Sequence, residues 1–139
     1  MIAIERRIEA SPETVFGYFT DAARYTRWMG IDATLDARPG GIYRVKSPQG
    51  HYASGEFVTV EHPERILFTW GWEGDPEVPP GSSTVEVTFT QDGGATVVRL
   101  VHDGLPGPEA FALHSEGWER YLGRLSVAAS GGDPGADEV

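Results

Sequence analysis

Two histidines and a glutamate are the residues whose types and spacing could support proton transfer. On the apolar run 95–103, Arg99 is a poor core residue, so Val97 and Val101 share its outer face. Thr96, Val98, Leu100 and His102 then point inward. His114 lies four residues before Trp118, on the same stripe of a helical segment. Two imidazoles meeting at one cavity can act as acid and base near neutral pH, or bind a metal. Equally, they can be a structural pair with satisfied hydrogen bonds. Glu56 falls in mid-strand. Facing inward it needs a partner (Tyr43, Tyr52 or Arg44) or a raised pKa; facing outward it is simply solvated. His102, His114 and Glu56 are therefore candidates, and none is assigned as catalytic. The chain has no HExxH spacing, nucleophile elbow, P-loop or dinucleotide-binding glycine motif. With zero cysteines it has no disulfide, thiol nucleophile or thiolate metal site. No metal and no cofactor is expected.

The second group is aromatic. Ile66, Phe68, Trp70 and Trp72 share one face of a strand, opposite Leu67, Thr69, Gly71 and Glu73, and that face is assigned inward. Phe89 belongs to the buried face of the next strand, and Trp118 and Leu122 to the apolar stripe of the last helix. Phe68, Trp70, Trp72, Phe89, His102, His114, Trp118 and Leu122 are the expected lining of a ligand cavity. The same residues would also serve as packed core. Buried indole N–H groups need partners, so Trp70 and Trp72 could donate to a ligand. The segment Glu73 to Gly81 is long for a hairpin loop and acidic. It is read either as a lid over one cavity mouth or as a loose loop.

The elements that must position these groups follow from period and punctuation. Ile2 to Glu9 alternates as a half-buried strand. Ser11-Pro12-Glu13 starts a helix with a serine N-cap, proline in the first turn and an acid beside it. Asp21 caps a second short helix, Ala22 to Trp28, ended by Gly30. Strands are expected near 31–37, 41–47, 51–60, 65–73, 82–91 and 95–103, separated by short turn signals that imply an antiparallel meander. A last helix from about Pro108 to Ala129 carries Phe111, His114, Trp118, Leu122 and Leu125 on one face. Gly117 inside it costs ~1 kcal/mol relative to alanine, and close approach of the sheet is the expected offset. Residues 1–129 are read as one domain, and 130–139 as a disordered acidic tail.

A chain of 139 residues with 40% hydrophobic content is expected to build one core. No stretch approaches the ~18 apolar residues of a membrane helix, and no signal-peptide centre is present, so a cytoplasmic location is the default. A net charge of −10 argues against nucleic acid and against an anionic membrane surface.

Certain residues occur in a recognisable order: Phe19-Thr20-Asp21 with Trp28, Arg38-Pro39-Gly40-Gly41, Pro63-Glu64-Arg65 and Phe68-Thr69-Trp70, then Val101-His102-Asp103-Gly104-Leu105, then His114, Gly117-Trp118, Leu122 and Leu125. Over about residues 2–126 the chain resembles the START-like SRPBCC superfamily, in the branch named for activators of the ninety-kilodalton heat-shock-protein ATPase. The resemblance implies an α+β helix-grip fold: a curved antiparallel β-sheet wrapped round a long C-terminal helix, with two short helices after the first strand. Relatives in such branches include co-chaperones, binders of hydrophobic ligands, and cyclases or dehydratases acting on polyketides. The leading expectation is a binding module for a small hydrophobic or aromatic molecule. The alternatives are a cyclase- or dehydratase-like enzyme using the cavity His and Glu, or a co-chaperone or homodimer contact.

Overall fold

In the computed structural model, which describes residues 1–138, the elements follow the expected order. They are β1 (Ile2–Ile8), α1 (Pro12–Thr20), α2 (Ala22–Tyr25), β2 (Asp32–Leu35), β3 (Ile42–Lys46), β4 (Tyr52–Glu61), β5 (Arg65–Trp70), β6 (Ser83–Asp92), β7 (Ala95–Asp103) and α3 (Gly107–Ala129). Seven strands form one curved sheet in the order β1-β7-β6-β5-β4-β3-β2, and every neighbouring pair is antiparallel. This is the helix-grip α+β arrangement expected from the sequence. Strands β2 to β7 are a plain meander. The long crossing from β1 at one edge to β2 at the other is made by α1 and α2.

Both small helices begin as their residue types dictate. Ser11 Oγ accepts from the Thr14 N–H at 3.2 Å, and Pro12 occupies the first turn, where a missing N–H costs nothing. Asp21 accepts from the Ala23 N–H at 3.1 Å. Helix α2 is one turn long and stops at Tyr25, short of the expected Trp28. Trp28 is nonetheless fully buried, and its indole N–H reaches the Tyr18 carbonyl at 2.9 Å.

The concave face is filled largely by aromatic rings. Tyr43 stacks on Phe68 at 4.2 Å between centroids, while Phe89 meets Phe16 and Phe19 edge-on at 5.3 and 5.5 Å. The Tyr25 and Tyr43 hydroxyls hydrogen-bond to each other inside the core, and burial pushes both phenols well above their ordinary pKa. Val85, Val87 and Phe89 on β6, and Thr96, Val98, Leu100 and His102 on β7, are all buried, as alternation predicts. Helix α3 lays Trp118, Leu122, Leu125, Ala128 and Ala129 into the sheet.

Three expectations about the helix and the chain after it are corrected. Phe111 lies on the first turns of α3, beyond the grip of the sheet, and is 42% exposed. Gly117 marks no close helix–sheet contact: a Cβ built there meets nothing within 4 Å. The segment after α3 is packed against the domain, not disordered. Asp137 is buried, and Arg124 donates to the carbonyls of Pro134 and Gly135 at 3.0 and 2.9 Å. Val139, the last residue of the expected tail, lies outside the described residues.

Candidate functional site

A cleft of about 980 Å³ opens at one end of the sheet. One wall is the far end of β3 to β5, with Val45, Ala53 and Trp70. The opposite wall is the first half of α3, with His114, Gly117, Trp118 and Tyr121. Its rim is made by residues 73–78 on one side and by Met29 and Gly30 on the other. The loop after β5 is held down by its own backbone. Trp72 N–H donates to the Val78 carbonyl at 2.7 Å, Glu73 N–H to Tyr52 at 2.9 Å, and Val78 is buried. The loop is therefore not loose: it is anchored and forms part of the cleft rim. Gly71 permits the fold-back, because any Cβ there would collide with the Pro79 carbonyl at 1.8 Å.

The two histidines do approach each other, with ring centroids 5.3 Å apart at 88°. Each has both nitrogens committed. The Trp118 indole N–H donates to His102 Nδ1 at 2.9 Å. His102 must then carry its proton on Nε2, which faces Ser83 Oγ at 2.9 Å, and Ser83 donates onward to the Trp70 carbonyl at 2.9 Å. The Trp72 indole N–H donates to His114 Nε2 at 3.0 Å, and His114 Nδ1 donates to the Ala110 carbonyl at 2.8 Å. Both imidazoles are neutral in this arrangement. Burial, with a smaller contribution from His114, lowers the His102 pKa to about 3. Burial lowers that of His114 as well, although the Ala110 carbonyl and Asp75 oppose it. Neither ring has a free nitrogen for proton transfer or metal ligation. Among the described residues no cluster of three or more His, Cys, Asp or Glu side chains could hold a metal ion.

One polar atom of the site has no partner. Trp70 is 2% exposed, and its indole N–H is the only buried side-chain donor without a hydrogen bond among the described residues. It sits in an aromatic box: ring centroids of Trp72, Trp118, His102 and His114 lie at 5.5, 5.3, 5.7 and 6.2 Å.

Of the expected lining, Trp70, Trp72, His114 and Trp118 border the cleft. Trp72 does so from beyond the end of β5, where a single bridge to Ala53 holds it. His102 lies behind Trp70 and Trp118 and is fully buried. Phe68, Phe89 and Leu122 are buried core residues and do not border the cleft. Glu56 is exposed on the outer face of β4, and its backbone N–H meets Thr69 Oγ1 at 2.9 Å. Its suggested partners are engaged elsewhere: Arg44 pairs with Glu73 at 2.8 Å and lies over the Tyr52 ring, and Tyr43 faces Tyr25. Val45 and Tyr121 were missed. Alternation from Tyr43 and helical spacing from Trp118 could have found them. Gly30 and Asp137, which bond to each other, carry no such signal.

Comparison with known proteins agrees with the fold. The family model described as "Activator of Hsp90 ATPase homolog 1-like protein" matches residues 9–130. A solution structure of an AHSA1-like protein from Rhizobium etli is 42% identical, with a TM-score of 0.75 over 98% of this chain and 86% of that one. The crystal structure of CalU16 from Micromonospora echinospora is 30% identical, with a TM-score of 0.74 over 93% of this chain and 75% of that one. The human activator of 90 kDa heat shock protein ATPase homolog 1 is 28% identical over 120 residues, which are 86% of this chain and 34% of the human protein. The chain thus spans about a third of that curated relative. With a matching model over most of its length and a close structural relative, the chain belongs to the Activator of Hsp90 ATPase homolog 1-like family.

Proposed function

We propose that this domain binds a small, largely apolar molecule bearing a hydrogen-bond acceptor, held in the cleft with its acceptor against the Trp70 indole N–H. The unpartnered donor carries the reading. A buried N–H without an acceptor costs about 1–3 kcal/mol, and an occupant supplying an oxygen would remove that cost. The neighbouring indoles do not offer the same opening, because Trp72 and Trp118 are already bonded to histidines. Catalysis by His102 and His114 is disfavoured by the same contacts, since either ring would have to break a buried bond to move a proton. Native mass spectrometry of freshly purified protein tests the reading, with the Trp70 indole resonance followed as apolar carbonyl compounds are added. A co-purifying small molecule, or a selective Trp70 shift, is expected. No co-purifying species together with an unresponsive Trp70 would sink it.

Similarity to the human activator supports a second reading, in which the outer surface contacts a chaperone. Phe111 and Leu113 on the first turns of α3, the latter also at the cleft mouth, are exposed apolar residues available there. Stimulation of a purified Hsp90-class ATPase, lost in a Phe111→Ser, Leu113→Ser variant, is the outcome this reading requires.

A further inference from the structure

At the α2 end of the cleft, three donors converge on one buried carboxylate. Gly30 N–H and Tyr121 Oη–H both donate to Asp137 Oδ2, at 2.8 and 2.7 Å, and Arg120 Nη2 donates to Oδ1 at 2.9 Å. The Asp137 side chain has no solvent exposure. Gly30 and Tyr121 also line the cleft, so the carboxylate sits at its margin. The backbone is built for this. Gly30 has φ +81°, and a Cβ there would approach Val45 Cγ1 at 2.6 Å and the Lys46 carbonyl at 2.8 Å. Arg124, one helical turn after Arg120, adds a second guanidinium whose hydrogen bonds all go to backbone carbonyls: Trp28, Pro134 and Gly135. The opposite rim carries Glu73, Asp75 and Glu77. Glu73 there is paired with Arg44, whereas Asp75 and Glu77 have no cationic partner among the described residues, and the guanidiniums of Arg120 and Arg124 stand behind the Gly30 end. The donors that suit an anionic ligand group converge at the Gly30 end.

We propose that Gly30, Arg120 and Tyr121 form a carboxylate-binding subsite of the cleft, and that Asp137 is its tethered occupant, competing with the carboxylate of an apolar organic acid. The segment after α3 acts as a strap: docked, it fills the subsite; displaced, it opens one side of the cleft. Only the apolar half of such a ligand rests on the cleft-binding reading proposed above. The carboxylate half stands on the three donors.

Full-length Asp137→Ala protein, labelled with 15N, tests this with two probes, sodium acetate and sodium benzoate. The Gly30 amide reports the subsite and the Trp70 indole reports the cleft. In the variant, the Gly30 resonance should move from its native position and then shift saturably with either carboxylate. In the native protein it should respond at least tenfold more weakly, because the tethered carboxylate competes. Adding Arg120→Ala to the variant should weaken the response about tenfold, the loss expected of one charge-assisted hydrogen bond. A Gly30 response to acetate without any Trp70 response to benzoate would uphold the subsite and count against the cleft reading. A Trp70 response with a silent Gly30 would do the reverse. Equal Gly30 responses in native and variant proteins, or a Gly30 resonance unmoved by the substitution, would overturn the strap.

Discussion

The indole N–H of Trp118 on α3 lies 2.9 Å from Nδ1 of His102 on β7, and this bond ties the long helix to the strand that precedes it through two buried polar groups. It also settles the tautomer of His102, whose second nitrogen then serves Ser83 and through it the Trp70 carbonyl. The aromatic wall of the cleft and the polar chain behind it are thus one unit. A change to Trp118 is felt directly by His102.

Phenylalanine substitutions separate the roles of the tryptophans. Trp118→Phe leaves His102 Nδ1 buried without a donor and is expected to cost about 1–3 kcal/mol more than its lost area. Trp70→Phe removes a donor that has no partner and leaves no orphan behind. Urea unfolding should rank Trp118→Phe as clearly the more damaging of the two. A reversed order would contradict the assigned hydrogen bonds.

Acid should destabilise the fold through the histidines before the carboxylates titrate. The folded-state pKa of His102, at about 3, lies below the ordinary value of 6.5. Between those values the unfolded chain binds more protons, so stability is full above pH 6.5 and is lost as pH falls toward 3. The slope is about 1.4 kcal/mol per pH unit for one group, and His114 adds to it in the same direction. Denaturation midpoints measured at pH 7, 6 and 5 should fall steadily, and His102→Gln should flatten the slope.

Gly117 tests space against packing. Because a Cβ there meets nothing, Gly117→Ala should stabilise α3 by up to about 1 kcal/mol. Gly117→Phe should fill the cleft beside Trp118, keeping the fold while abolishing binding of an apolar fluorescent probe. Thermal melts and probe titration together read both effects; a strongly destabilised alanine variant would mean that the helix does touch the sheet here.

Docking of the segment after α3 should itself depend on pH. Burial alone would raise the Asp137 pKa, but donation from Tyr121, Gly30 and Arg120 outweighs it and holds the carboxyl below its ordinary range. The stability from docking is therefore present above the unfolded carboxylate value and is lost as pH falls through the lower folded one. The Gly30 amide shift, followed through an acid titration, should show a single transition below the normal aspartate range. Asp137→Asn should abolish that transition.

Much of the architecture was legible because it rests on short-range rules. The alternation of Val85, Val87 and Phe89 against wet neighbours, the caps at Ser11 and Asp21, and the turn residues between strands are each decided within a few residues. The site was legible in part. Trp70, Trp72, His114 and Trp118 were placed on the right walls by period alone. Period could not say where the concave face stops being core and becomes cleft, so Phe68, Phe89 and Leu122 were counted as lining when they are packed. For Glu56 the outward, solvated reading holds: Ala53 and Phe57 turn inward, and alternation leaves Glu56 on the wet face, before the register irregularity between Phe57 and Thr59.

Local periodicity and turn chemistry thus determined the strand order, the gripped helix and the inward aromatics of this protein, since each depends on residues near in sequence. Tertiary structure alone decided three things: that Gly117 faces empty space, that both histidines are spent on tryptophans, and that Asp137 returns to bond Gly30 across 107 positions. Those outcomes depend on which groups meet after the chain closes, and no local pattern encodes such a meeting.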